Sequence, residues 1–241
     1  MTSPQPVTVG VGPLSFSDVL AVARDGAPVD LGADAVAAIG RARESVEVLA
    51  AAATPSYGIS TGFGALATRH IPTDMRAQLQ RSLVRSHAAG SGPVVEPEVT
   101  RALMLLRLST LATGHTGIRL GTAQTMAGML SHGITPVVHE YGSLGCSGDL
   151  APLSHCALAL IGEGDVTDVH GVRRPAAVAL SEAGLAPVEL QAKEGLALIN
   201  GTDGMLGMLV MAIVDLRMLL KAADITAAMS VEGQLATDRV F

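Results

Sequence analysis

The chain has 241 residues, which is enough for one large domain or two smaller ones with a sizeable apolar core. Lys and Arg total 16 against 22 Asp and Glu, so the net charge of −6 leaves no basic surface for nucleic acid or another polyanion. Hydrophobic residues make up 49% of the sequence but aromatic residues only 2%, so the interior must be built from Ala, Leu, Val, Ile and Met.

The first half of the sequence predicts one short strand followed by helices. Val7, Val9 and Val11 alternate like a strand, and helices are predicted at 18–24, 34–53, 74–89 and 97–113. Three glycines predict an irregular loop at 57–64. A domain boundary is predicted near residue 112, which gives domains over 1–112 and 113–241.

The second half is predicted to be helical, apart from a small hairpin at 165–174. Asp149 is a good N-cap for a helix over 150–161. In the last segment, seven apolar residues repeat at alternating steps of three and four: Leu206, Leu209, Ile213, Leu216, Leu220, Ala223 and Ala227. Methionines beside this seam make the helix apolar on more than one side, so it is predicted to be buried in a bundle or a subunit interface. The predicted fold class is mainly α with short strands.

Targeting and metal-binding signals are missing from this sequence. The N-terminus lacks the positive start and apolar core of a signal peptide, and no apolar segment reaches the length that crosses a bilayer. Cys146 and Cys156 are too few for a disulfide framework, so a cytoplasmic location is predicted. His139-Glu140 has no second histidine at Ser143, and no metal is predicted. Lysines and arginines are interpreted as solvated surface.

A glycine-rich turn over 142–148 carries the most distinctive chemistry. Its last residues, Cys146, Ser147 and Gly148, can cyclise if the Gly148 nitrogen attacks the Cys146 carbonyl carbon and two waters leave. Gly148 permits that compressed approach because it has no Cβ, and Ser147 becomes the exocyclic methylidene of a five-membered imidazolone. From the triplet alone, an ordinary turn before a capped helix is the better interpretation. The spacing excludes a serine-hydrolase elbow and a dinucleotide loop.

Four segments together resemble the aromatic amino acid ammonia-lyase family, whose members form this methylidene-imidazolone (MIO) group from their own chain. The segment GSLGCSGDLAPLSH at 142–155 resembles the cofactor-forming signature. YGISTGFG at 57–64, RSHAAG at 85–90 and LINGT at 198–202 resemble the tyrosine loop, the end of the substrate-pocket helix and the asparagine turn. The resemblance implies an α-rich head followed by the start of a long central helical bundle, in a homotetramer with shared active sites.

The resemblance also implies the roles of individual residues. The MIO formed at 146–148 would be the catalytic electrophile, and Tyr57 would be the base that takes the Cβ proton. Because an ordinary phenol has a pKa of about 10, such a base needs surroundings that stabilise the phenolate. His87 would orient the substrate imidazole, and Asn200 would hold the substrate or the ring carbonyl. From the residues alone, Tyr57 could equally be a loop anchor, His87 a core histidine and Asn200 part of a simple turn.

Within the family, the pair Ser86-His87 favours L-histidine, so the implied reaction is loss of ammonia to give trans-urocanate, the first step of histidine degradation. A related lyase or aminomutase acting on tyrosine or phenylalanine stays open, as does attack on the MIO by the substrate amine or by its imidazole. Asp203 stands where many members carry Gln, which places an acid near the ring.

The length of the chain sets it apart from the family, whose members are considerably longer. The resemblance covers their front portion and implies an N-terminal fragment. A second tyrosine, a carboxylate-binding arginine and a glutamate of the family have no counterpart in these 241 residues. The fragment alone is expected to be inactive, and a role in assembly only is a further alternative.

Overall fold

A computed structural model describes residues 4–145 and 148–239, and its regular structure is mainly helical, as the sequence predicts. In chain order the helices are α1 (Phe16–Ala23), α2 (Ala33–Ala51), α3 (Arg76–His87), α4 (Pro97–Ala112), α5 (Leu120–Ser131), α6 (Leu150–Leu160), α7 (Ala176–Glu182), α8 (Glu194–Ile199) and α9 (Asp203–Gly233). Short 3-10 turns lie at Gly64–Leu66 and Thr73–Met75, the first of them starting at the last residue of the predicted irregular loop. Within the described ranges, no helix combines the length and apolarity needed to cross a membrane.

The strands are short and lie at the edges of the helical core. They are β1 (Val7–Val9), β2 (Val29–Leu31), β3 (Ser91–Val94), β4 (Thr135–Pro136), β5 (His139–Tyr141), β6 (Asp165–Thr167) and β7 (Arg173–Pro175). β1 pairs with β2 in parallel, β3 pairs with β5 antiparallel, and β4, β6 and β7 form an antiparallel sheet in that order. The predicted hairpin is therefore confirmed as β6 and β7. β1 ends before Val11, whose backbone N–H donates to the Asp34 carboxylate.

Helix α4 lies at the centre of the core and packs against α1, α5 and α9. Four consecutive residues of α4, from Ala102 to Leu105, are buried, which is expected of a helix that is apolar on all sides. One cluster of buried apolar side chains extends from Val7 to Met211 and includes residues of both α4 and α5. The predicted boundary near residue 112 falls between these two helices, and the division into 1–112 and 113–241 stays a prediction.

Three arginines are buried, so their interpretation as solvated surface is wrong. Arg76, Arg101 and Arg107 are 7%, 7% and 2% exposed. Arg101 donates to the carbonyl oxygens of Val22 and Leu130, near the ends of α1 and α5, and Arg76 donates to a carbonyl near the end of α2. The last carbonyls of a helix lack intrahelical partners, so a buried guanidinium finds acceptors there without a carboxylate.

Helix α9 is buried within the described chain only over its first three turns, and burial of its seam in a bundle or a subunit interface stays a prediction. Its buried residues are Asp203, Gly204, Gly207, Val210 and Met211, which pack on α4 in the first three turns. The predicted seam points the other way: Leu206, Leu209, Leu216 and Leu220 are all exposed, and from 215 to 230 the helix has no buried residue. The heptad pattern predicted the apolar surface correctly, but in the described part of this chain nothing covers that surface.

Candidate functional site

One cavity of about 390 Å³ brings together three of the residues that the sequence singles out, from segments far apart in the chain. Tyr57 enters from the irregular loop, His87 from the end of α3, and Asn200 from the residue that follows α8. The rest of the lining is mostly apolar: Phe63, Gly64, Leu83, Leu150, Leu196 and Ile199. A concave site with an apolar wall and a few polar groups is the usual form of a small-molecule site.

Tyr57 presents a phenol that is not packed into the core. Its side chain is about half exposed, and its ring meets the edge of the Phe63 ring at 6.1 Å between centroids. The Gly64 backbone N–H donates to the phenol oxygen at 3.4 Å.

His87 is half-buried, and its hydrogen bonds indicate which ring nitrogen carries the hydrogen. Its Nδ1 lies 2.9 Å from the Leu83 carbonyl oxygen, which can only accept, so Nδ1 carries the hydrogen. The Ser86 hydroxyl also lies 3.0 Å from Nδ1 and donates to the same carbonyl. In the neutral ring Nε2 is then an acceptor, ready for a donor on a ligand.

The asparagine turn lies between α8 and α9, as the sequence predicts, and it contacts the end of the cyclising triplet. A Cβ built on Gly148 would lie 2.9 Å from the Gly201 carbonyl oxygen and 3.4 Å from the Asn200 side-chain oxygen. Gly148 is therefore the residue type that this contact requires. Cys146 and Ser147 lie outside the described residues.

Asp149 precedes α6 as predicted, but its side chain does not cap that helix. Its carboxylate instead accepts the backbone N–H of Met205 at 2.9 Å, in the first turn of α9, and the hydroxyl of Ser143. The free N–H groups at the start of a helix favour a carboxylate, and α9 supplies them here in place of α6. Asp149 is 1% exposed and joins the glycine-rich turn to α9.

Sequence reasoning missed Gln80, which connects the tyrosine loop to α8. This residue of α3 is 1% exposed; its amide nitrogen donates to the Gly58 carbonyl at 3.4 Å, and its amide oxygen accepts the Leu196 N–H at 3.2 Å. The available signal was a glutamine on the face that Leu83 and Val84 bury.

Sequence reasoning also missed Glu194, which fixes the start of α8. Its carboxylate is fully buried and accepts hydrogen bonds from the Arg119 guanidinium, the Thr122 hydroxyl and the Gln191 backbone N–H. Because α8 is short, fixing its first residue also limits where its end can place Asn200.

Asp203 begins α9 as a buried acid behind the asparagine turn. Burial raises the pKa of its carboxyl, while the guanidinium of Arg107, 3.4 Å away, acts to lower it. Burial also raises the pKa of the nearby Cys156 thiol, and the charge of Asp203 adds to that effect. Asp203 is thus close to the site, as the sequence predicts, on the side of the turn that faces α4.

His155 and His139 lie next to each other, and His155 contacts Gly90 in the segment that follows His87. The Gly90 backbone N–H donates to His155 Nε2 at 3.1 Å, and the ring centroid of His155 lies 5.6 Å from that of His139. Burial and the charge of His139 lower the pKa of His155. Across residues 4–145 and 148–239, no three His, Cys, Asp or Glu side chains come together as a metal site.

Comparisons with known proteins agree with these segments. The family model described as aromatic amino acid lyase matches residues 14–241. The histidine ammonia-lyase of Streptomyces avermitilis is 65% identical over 235 residues, which cover 98% of this chain and 46% of that protein. The chain thus spans about half the length of such relatives.

Solved structures with this fold include enzymes with different activities. An ergothioneine-degrading enzyme, ergothionase, from Treponema denticola has a TM-score of 0.90 at 32% identity, with 95% of this chain and 46% of that chain covered. A tyrosine aminomutase from Streptomyces globisporus has a TM-score of 0.79 at 43% identity, with 85% and 38% covered.

The hydrogen bond from Gly90 to His155 predicts an acid-sensitive contribution to stability. The unfolded ring takes up a proton below its ordinary pKa of about 6.5, whereas the folded ring has a lowered pKa, so this contribution is complete above about pH 6.5 and is lost as the pH falls toward the folded pKa. In His155→Gln, an amide oxygen can accept from Gly90 without titrating. We expect the melting temperature to fall less between pH 7 and pH 5 in this variant than in the wild type.

The exposed His115 provides the control for this measurement, because His115→Gln removes a histidine that lies outside this contact. Its melting temperature should follow the wild type across the same pH range. Equal pH dependence of the wild type and His155→Gln would contradict the assignment of Nε2 as an acceptor.

Proposed function

Since the chain belongs to the aromatic amino acid lyase family, we propose that the whole protein eliminates ammonia from L-histidine to give trans-urocanate. The observation that carries this proposal is the cavity that Tyr57, His87 and Asn200 share. Gly148, the last residue of the cyclising triplet, contacts the Asn200 turn at the same place. The 65% identity to a histidine ammonia-lyase supports histidine as the substrate.

The residues present fit a MIO group formed from Cys146, Ser147 and Gly148. The supporting observation is the space at Gly148, which the Gly201 carbonyl restricts so closely that a Cβ would approach it to 2.9 Å. When formed, the MIO supplies an electrophilic carbon that makes the substrate amine a better leaving group. The protein then has to orient the substrate and remove a proton from its Cβ.

Tyr57 is the base in this proposal. Its phenol lines the cavity and accepts a hydrogen bond from the N–H of Gly64, and as the base it would take the Cβ proton of the substrate. Half of the side chain is exposed, so the oxygen is accessible to a ligand in the cavity. Asn200, across the same cavity, offers both a donor and an acceptor to the substrate or to the ring carbonyl.

His87 favours a substrate with an imidazole ring. With the hydrogen on Nδ1 bound to the Leu83 carbonyl, Nε2 can accept the N–H of a substrate imidazole. A phenyl ring has no such donor. A tyrosine hydroxyl could supply one, and the 43% identity to a tyrosine aminomutase makes tyrosine the second candidate substrate.

We also propose that the whole protein forms a homo-oligomer, a tetramer, and functions in the cytoplasm. The exposed apolar seam of α9 supports association, because a helix with Leu209, Leu216 and Leu220 each more than half exposed has a large apolar area to bury. The buried free thiol of Cys156 is consistent with a reducing compartment.

Turnover of L-histidine by the whole protein tests the proposed reaction. We expect release of ammonia together with a rise in urocanate absorbance, and slower release from L-tyrosine and L-phenylalanine. Tyr57→Phe keeps the ring but removes the base, so turnover should fall by about 100-fold or more. Val48→Phe, at an exposed position of α2 outside the cavity, is the control and should keep wild-type turnover.

Faster turnover of tyrosine or phenylalanine would overturn the substrate assignment. Full activity of Tyr57→Phe would place the base elsewhere. Conversion of a tyrosine to its β-isomer, without net release of ammonia, would favour the aminomutase alternative.

Association through α9 has a separate test in the molar mass of the whole protein by light scattering. Leu216→Lys with Leu220→Lys places two charges in the seam and should shift the mass from tetramer toward smaller species. Val48→Lys adds a charge at an exposed apolar position of α2 and should leave the mass unchanged. A monomeric wild type would contradict the proposal and would indicate that another part of the same chain covers α9.

A further inference from the structure

Arg107 connects α4 to the back of the asparagine turn. Its Nη1 donates to the Asn200 carbonyl oxygen at 2.8 Å and lies 3.4 Å from Asp203 Oδ2. The Thr110 hydroxyl donates to the other oxygen of Asp203 at 3.1 Å. The side chains of Arg107 and Asp203 are 3% and 8% exposed, so solvent hardly competes for these contacts.

The backbone of the turn is held from two directions. The Asn200 carbonyl accepts from Arg107, and the Gly201 carbonyl accepts the Asp149 backbone N–H at 2.6 Å. The Asn200 N–H donates to the Leu196 carbonyl at 3.1 Å, at the end of α8. With both peptide groups fixed, the direction of the Cα–Cβ bond of Asn200 is fixed as well. That direction carries its side chain to the cavity.

The side chains of Arg107 and Asp203 leave no room for a side chain on Gly201. A side chain on Gly201 would approach Arg107 Nη1 to 2.5 Å and would also collide with Asp203. The guanidinium therefore lies against the turn itself. A side chain on Gly201 would displace it, and with it the donor that the Asn200 carbonyl accepts from.

A buried ion pair at this place is costly for stability alone. Burial lowers the pKa of Arg107 and raises the pKa of Asp203, so the interior disfavours both charged forms. Apolar residues of similar volume often stabilise a core as well as such a pair or better. What an apolar residue cannot do is donate a directed hydrogen bond to the Asn200 carbonyl.

We propose that Arg107 is a positioning residue for Asn200. It holds the Asn200 carbonyl and so aims the side chain into the cavity, while Asp203, itself bonded by the Thr110 hydroxyl, places its charge 3.4 Å from the guanidinium. This inference rests on the proposed function, because it gives the side chain of Asn200 a role in the reaction. It adds a residue of α4, outside the cavity lining, to the group that sets the geometry of the site.

A double-mutant cycle on the whole protein tests the inference, with Arg107→Lys, Asn200→Ala and the double variant. Lysine keeps the charge beside Asp203 but loses the planar fork, so Asn200 should be misplaced and kcat/KM should fall by roughly 10- to 100-fold. In the Asn200→Ala background the same change should lower kcat/KM less than about 3-fold, since no side-chain amide is left to position. An equal loss in both backgrounds would overturn the inference.

Arg101→Lys is the matched control, because Arg101 is a second buried arginine of α4 that donates to backbone carbonyls away from the cavity. It should lower the melting temperature, as Arg107→Lys does, yet leave kcat/KM of the folded enzyme within about 2-fold. A loss of activity equal to that of Arg107→Lys would show a general effect of destabilising α4 and would contradict a specific role.

Crystal structures of the variants test the positioning without any turnover. In Arg107→Lys the Asn200 side-chain amide should move by more than about 0.5 Å, the tolerance of a catalytic group, and in Arg101→Lys it should stay in place. An unmoved Asn200 in Arg107→Lys overturns the inference, even if the activity falls.

If Arg107→Lys does not fold, Asp203→Asn gives the same comparison, because it releases the guanidinium without removing it. A wild type that does not act on L-histidine would contradict the proposed function, whereas the position of Asn200 in the crystal structures would still test the role of Arg107.

Discussion

The site depends on one backbone contact, in which Gly148 lies against Gly201 with no room for a side chain between them. The contact continues into the hydrogen bond from the Asp149 N–H to the Gly201 carbonyl. Three chain segments therefore meet at one point: the start of α6, the end of α8 and, through the bond from Met205 to Asp149, the start of α9. Neither glycine could carry a Cβ at this contact without a clash. Asn200, which precedes Gly201, has its side chain in the lining of the cavity.

Packing of apolar side chains gives this chain its core but does not by itself specify so precise a contact. Burial of Leu, Ile, Val, Ala and Met is favourable in many relative positions, since the hydrophobic effect has no direction. Directed bonds from a few buried polar side chains select one position. Gln80 joins the tyrosine loop to α8, Glu194 holds the start of α8, and Arg107 holds the turn at its end. The Asp149 carboxylate holds the start of α9. The polar residues lie where the elements of the site meet.

The sequence was sufficient for most of the helices, because periodicity and caps are local signals. The segments that meet at the cavity were singled out by the family resemblance, since local signals alone favoured ordinary turns and a core histidine. The sequence did not predict contacts between residues that are far apart in the chain. Asp149 reads as an ordinary N-cap of α6, and only the fold brings the first turn of α9 to its carboxylate. Arg107 was interpreted as solvated surface, although a lone charge in the apolar run from Met104 to Leu108 was a usable sign of burial. Apolar periodicity predicted the α9 seam, but it does not say which surface covers the seam, and the described part of this chain places nothing there.

The central claim is that Cys146, Ser147 and Gly148 become an electrophile in this protein, and the mass of the peptide that contains them tests it most directly. In the purified whole protein, we expect this peptide to lack the mass of two waters, whereas the peptides of the tyrosine loop and the asparagine turn should have their unmodified masses. Ser147→Ala removes the hydroxyl that must leave and should not show the two-water loss. An unmodified peptide in the wild type would contradict the account, whatever the geometry of the cavity.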